Sequence, residues 1–189
     1  MDNKRLIIGM SGASGAPLTV EVLKQLKRNP EIETHLVVTR GAEITLAAET
    51  DCLLEELKAY ASVFHPIDEI GVSIASGSFR TMGMIIVPCS MKTVAGIVSG
   101  YSDNLLLRAA DVCLKERRKL VLAARESPLS TVHLRNLYEL SQMGAVILPP
   151  MLTYYHRLVT VEECTKQMAQ RLLSQFDLDH DAYEWRGTL

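Results

Sequence analysis

Runs of aliphatic residues recur along the chain at strand length, over residues 5–10, 34–38, 84–88, 119–123 and 145–148. Each is nearly unbroken rather than alternating, the pattern of a strand covered on both faces. Between them lie segments with apolar residues three or four positions apart, over residues 17–27, 105–115, 132–143 and 162–176. In the first of these Leu18, Val22, Leu23 and Leu26 fall on one stripe, as an amphipathic helix requires. Strands alternating with such helices predict an α/β fold: a doubly wound, mostly parallel sheet flanked by helices. The stretch 66–83 breaks the rhythm, because Gly71, Ser73, Ser76, Gly77 and Ser78 interrupt any steady period. A long loop is predicted there, and loops of that size in a compact domain usually serve function.

Composition adds limits. The 189 residues, 48% of them hydrophobic, suffice for one sizeable core, so 1–189 is expected to be a single domain. Residues 177–189 lack periodicity and are expected to form a C-terminal tail packing on a neighbouring subunit. A net charge of −2 provides no positive field to draw nucleic acid or an acidic membrane. No apolar run reaches the ~20 residues of a membrane-spanning helix. The run ending at Met10 is too short for a signal-peptide core and enters a glycine loop directly, so a cytoplasmic protein is expected. Cys52, Cys89, Cys113 and Cys164 form no C-x-x-C pair. Neither a disulfide framework nor a metal site is expected; most of the four are expected to be reduced, packed thiols.

Candidate chemistry gathers where strands end. Ser11-Gly12-Ala13-Ser14-Gly15-Ala16-Pro17 follows the first strand and leads into a helix. Small residues there allow close backbone approach, and the helix start presents free N–H groups, so the loop is either an anion site or a tight turn without a ligand. It is neither a G-x-G-x-x-G fingerprint nor a P-loop. Pro88-Cys89-Ser90-Met91-Lys92-Thr93 repeats the arrangement after another strand, where Ser90 and Thr93 serve either as a helix cap or as ligand contacts. Arg108 and Lys115 lie seven residues apart and share a helix face. Arg125 and Glu126, just past residues 119–123, suit an anionic substrate that also exchanges a proton. Tyr154, Tyr155 and His156 follow Pro149-Pro150, and Arg171 stands on the last long helix. Tyr and Arg can clamp a phosphate, while an aromatic after a proline pair can equally be packing.

In order and spacing these segments resemble the UbiX/Pad family of flavin prenyltransferases, Rossmann-like flavoproteins. The stretches that carry the likeness include Gly12-Ala13-Ser14-Gly15-Ala16, Glu49-Thr50-Asp51, Ser76-Gly77-Ser78-Phe79, Pro88 to Thr93, Arg108-Ala109-Ala110-Asp111, Leu114-Lys115-Glu116-Arg117-Arg118, Arg125-Glu126-Ser127-Pro128, Tyr155-His156 and Trp185. The resemblance implies binding of reduced FMN and dimethylallyl monophosphate, no metal, and a prenylated FMN product used by a UbiD-type decarboxylase. By the same likeness, Gly12, Ala13, Ser14, Thr39, Ser90, Met91, Lys92, Thr93 and Arg125 would hold FMN. Lys115, Arg125, Tyr155 and Arg171 would grip the dimethylallyl phosphate, with Trp185 beside the allylic group. Glu126, Ser14 and Glu49 would handle protons. The family is homo-oligomeric, commonly dodecameric, with its active site at subunit contacts. Thr39-Arg40-Gly41 departs from a usual Ser-Lys-Ala-like run but keeps the hydroxyl. A flavin-binding accessory subunit without transferase activity and a cysteine-type FMN decarboxylase are the competing readings.

Overall fold

The computed structural model describes residues 4–178 and Gly187. Six strands are present among them: β1 (Lys4–Met10), β2 (Ile32–Val38), β3 (Val63–His65), β4 (Gly83–Cys89), β5 (Lys119–Ala124) and β6 (Val146–Ile147). They form one sheet in the order β3-β2-β1-β4-β5-β6, and every pairing is parallel. Seven α-helices connect and cover it: α1 (Ala16–Lys27), α2 (Arg40–Glu49), α3 (Leu54–Tyr60), α4 (Met91–Val98), α5 (Leu105–Lys115), α6 (Thr131–Gln142) and α7 (Val161–Leu173). The strand order reverses between β1 and β4, and an open α/β sheet binds its ligand outside the carboxyl ends of strands at such a switch point.

Burial on both faces explains the unbroken aliphatic runs. Leu6, Ile8 and Met10 of β1, with Ile85 and Val87 of β4, pack into a core that includes Val22 and Leu23 of α1 and Leu172 of α7. Ile7, Met84 and Ile86 point the other way, into a core with Val94 of α4 and Leu106 and Ala110 of α5. Side chains alternate across a strand, so a strand with two cores must be apolar at every position. Helix starts follow the capping residues. Thr39, Ser90, Asn104, Ser130 and Thr160 each accept a backbone N–H in the first turn of the helix that follows.

Three elements lie outside the predicted set. β3 has only three residues; α2 buries only Ala42 and Leu46, and α3 only Leu57, so their apolar stripes are too short to show as a period. The segment 66–82 is a loop apart from one 3₁₀ turn at Ser73–Ala75. β6 is shorter than the predicted 145–148, and α7 ends at Leu173 with a 3₁₀ turn at Ser174–Phe176. Of the expected tail, Asp177, Leu178 and Gly187 are described; the remainder, including Trp185, lies outside the described residues. Among the described residues no helix is long and apolar enough to cross a membrane.

Candidate active site

The loops after β1 and β4 are stitched together at the switch point. The buried Ser11 hydroxyl donates to Pro88 O at 3.1 Å and accepts from Ser90 N at 2.8 Å, while Ser11 N donates to Pro88 O at 3.1 Å. Ser90 Oγ accepts from Thr93 N at 3.3 Å and lies 3.1 Å from Thr93 Oγ1. Gly12 packs on Gly41 so closely that a Cβ would stand 3.0 Å from the Gly41 carbonyl carbon. Side chains at both positions would fill this floor.

Above it opens a cavity of about 740 Å³ lined by Gly12, Thr39, Arg40, Ser90, Lys92 and Thr93, among others. The N-termini of α2 and α4 both face it, so their free N–H groups and positive ends suit a phosphate. Arg40 and Asp68 form an ion pair at 3.1 Å, and both line the same cavity. Asp68 belongs to the long loop after β3, which therefore supplies one wall. Sequence reading assigned neither residue, and the departure at Arg40 from the family run was the available signal. The Met91 side chain is buried in the core, so at that position only the backbone is available to a ligand.

The start of α1 is arranged differently. Gly15, with φ at 127°, turns the chain so that its own N–H and that of Ala16 both donate to Glu49 Oε2 at 2.8 Å. The N–H groups that made this loop an anion candidate are thus taken by a carboxylate of the protein itself, which leaves α2 and α4 as the open helix starts. Burial pushes the Glu49 carboxyl up. The hydrogen bonds from Gly15 N–H, the Ser14 hydroxyl and Ala16 N–H, together with the Arg125 charge, outweigh it and hold the group below its ordinary value. Ser14 and Glu49 border a second cavity of about 440 Å³ whose other walls are largely apolar, with Leu18, Met151, Leu152 and Met168. An ionised carboxylate beside an apolar chamber is a proton acceptor next to a place for a hydrocarbon group.

Arg125 follows β5 with its N–H donating to Cys89 O at 3.0 Å, at the same carboxyl edge of the sheet. Glu126 stands next to it but is exposed, and its carboxylate accepts from Ser127 N at 3.0 Å rather than joining Ser14 and Glu49. Two other predicted residues lie at the opposite edge. Lys115 ends α5 just before β5 begins, so the six-residue strand, ~20 Å at 3.3 Å per residue, separates it from Arg125. Arg171 is in the last turn of α7. Phe176, five residues on, packs against Gly83 and Lys119, where β4 and β5 start. Tyr155 is exposed in the 3₁₀ turn Tyr154–His156. A single chain therefore brings Ser14, Glu49, Arg125 and the Ser90–Thr93 loop together and holds Lys115 and Arg171 away from them. Among the described residues no His, Cys, Asp and Glu side chains gather in a group able to hold a metal ion.

Residues 1–172 match the family model described as Flavoprotein. The flavin prenyltransferase UbiX of Escherichia coli K12 is 50% identical over 187 residues, covering 97% of this chain and 99% of that protein. A dodecameric, FMN-dependent UbiX-like decarboxylase from Escherichia coli O157:H7 superposes with a TM-score of 0.95 at 49% identity, covering 97% of this chain and all of that one. AnUbiX, solved with FMN and dimethylallyl pyrophosphate, matches with a TM-score of 0.95 at 46% identity over 99% of this chain and all of that one. The fold and site thus define a flavoprotein. Within that class, the chain belongs to the family of UbiX-like flavin prenyltransferases.

Proposed function

We propose that the protein transfers a dimethylallyl group from dimethylallyl monophosphate to N5 and C6 of reduced FMN, and that the prenylated FMN serves a UbiD-type decarboxylase. The observation that carries this reading is a pair of cavities bordered by the one loop after β1: one lined by Ser11 and Gly12 and faced by two helix N-termini, the other lined by Ser14 and Gly15, largely apolar and bordered by an ionised Glu49. The glycine floor and the hydroxyls of Thr39, Ser90 and Thr93 fit a flavin and its phosphate tail. When bound, reduced flavin supplies the nucleophilic ring atoms.

The chain's own groups do the rest. Glu49, held by backbone N–H groups and the Ser14 hydroxyl, accepts a proton that ring closure releases, while Glu126, exposed beside Arg125, is open to solvent for further exchange. Arg125 is placed to face the anion at the carboxyl edge. As the allylic C–O bond breaks, its electron pair leaves on phosphate, and that charge needs Lys115, Tyr155 and Arg171 as well as Arg125. Since Lys115 and Arg171 sit at the opposite edge, they must come from other copies, and we propose a homo-oligomer, a dodecamer, whose contacts complete each site. Such contacts also exclude water, which would otherwise capture the allylic carbon. The flavin substrate is the reduced form, and we place the reaction in the cytoplasm.

Incubating the protein anaerobically with reduced FMN and dimethylallyl monophosphate, followed by mass spectrometry, tests the reading. A flavin heavier by one five-carbon unit is expected. Unchanged flavin would mean a carrier, and carbon dioxide from a thiol-bearing acid would mean a decarboxylase.

A further inference from the structure

Lys115 does not hang free at the end of α5. Its ammonium lies 2.5 Å from Glu116 Oε1, and this pair rests against the loop 76–79. A Cβ on Gly77 would come within 2.7 Å of the Glu116 carboxyl carbon and 2.8 Å of Lys115 Nζ. Gly77 has no left-handed backbone angle, so a glycine is needed there for close approach alone.

The loop is clamped in turn. Arg118 donates to Gly77 O at 2.5 Å and to Phe79 O at 2.8 Å. The Phe79 ring lies under the Arg5 guanidinium at 4.5 Å and meets the buried His35 edge-on at 5.3 Å. A long, half-exposed lysine would otherwise sample many rotamers, and ordering it in advance removes that cost from anion binding. An ammonium has three N–H donors; Glu116 engages one and leaves the others for phosphate oxygens.

We propose that Gly77 and Glu116 are positioning residues, seated by Arg118, that fix the Lys115 ammonium for the phosphate of the allylic donor in another copy's site. This rests on the assignment of Lys115 to the donor phosphate given above.

The test is steady-state prenyl transfer by the full-length protein, with K115A, G77A, E116Q and the double variant G77A/K115A. In G77A the new methyl meets side-chain tips, which can move without disturbing the fold. E116Q keeps the shape of the side chain and removes its charge. We expect K115A, G77A and E116Q each to lower kcat/KM for dimethylallyl monophosphate by about tenfold. The KM for reduced FMN and the thermal midpoint should stay close to wild type, and G77A should add nothing on the K115A background. If K115A lowers donor kcat/KM while G77A and E116Q do not, the seat is refuted and Lys115 keeps its role. If K115A has no effect, both assignments fall. A parallel loss of FMN affinity in G77A, or additive effects in the double variant, would show a merely structural role and overturn the proposal.

Discussion

At the scale of single residues, the site depends on where protons rest. Glu49 is held ionised by donors that were free to meet a ligand's anion instead, so its carboxylate is built into the loop. E49Q should keep flavin bound and slow transfer by about 10²–10³-fold, the usual weight of a positioned base. Stopped-flow absorbance of the flavin would measure it. Because the folded-state value is depressed, Glu49 adds stability above its ordinary value of 4.5, and that contribution is lost as pH falls through the folded value. Activity resting on ionised Glu49 should accordingly stay level in pH down to that region and fall below it. The thiols divide just as clearly. Burial pushes Cys89 far up and Cys113 up to about 12, whereas Cys164 is half-buried and lines the apolar cavity. Iodoacetamide followed by peptide mass spectrometry should label Cys164 in the native protein, and Cys89 and Cys113 only after unfolding.

Among elements, the edge of the sheet at β2 and β3 carries a buried polar group that sequence reading left without a role. His35 and His65 stack with ring centroids 5.2 Å apart and share a hydrogen bond of 2.9 Å, and His35 Nε2 reaches Glu33 at 3.0 Å. Burial lowers both rings, against the pull of Glu33 on His35, so the folded state keeps them neutral. Their stability contribution is present above the ordinary value of 6.5 and lost as pH falls through the lowered folded values. Urea unfolding should show stability dropping between neutral pH and the acid side of 6.5, with a shallower drop in H65N. The long elements were legible because each strand was aliphatic throughout and each main helix carried a full stripe. α2 and α3 were not, since one or two buried residues make no period. The residues around Ser14 and Ser90 were legible for a local reason: a strand end running into a helix start gathers small and hydroxyl side chains. The bond from Glu49 to Gly15 spans 34 positions, and no local pattern encodes a contact that distant. Lys115 and Arg171 could be named from the resemblance, but their place at the far edge follows only from the direction of β5 and α7.

For the whole molecule, the exposed apolar residues fit the proposed assembly of several copies. Met151, Leu152, Tyr154, Val159 and Val161 are all largely exposed around the start of α7, beside the apolar cavity. A surface of that character is the mark of an interface. V159D should lower the mass seen by analytical ultracentrifugation and reduce transfer together, leaving the fold of the single chain intact. The sharpest test of a site shared between copies is complementation between E49Q, which lacks the proposed proton acceptor, and K115A, which lacks the proposed distant cation. E49Q alone should be nearly inactive, and K115A alone should keep about a tenth of the wild-type rate. Mixed oligomers assembled from equal amounts should recover about a quarter of the wild-type rate, the share of sites that random assembly gives two intact contributors. Mixed oligomers no more active than the separate variants would contradict the account, because Glu49 and Lys115 would then have to act within one chain.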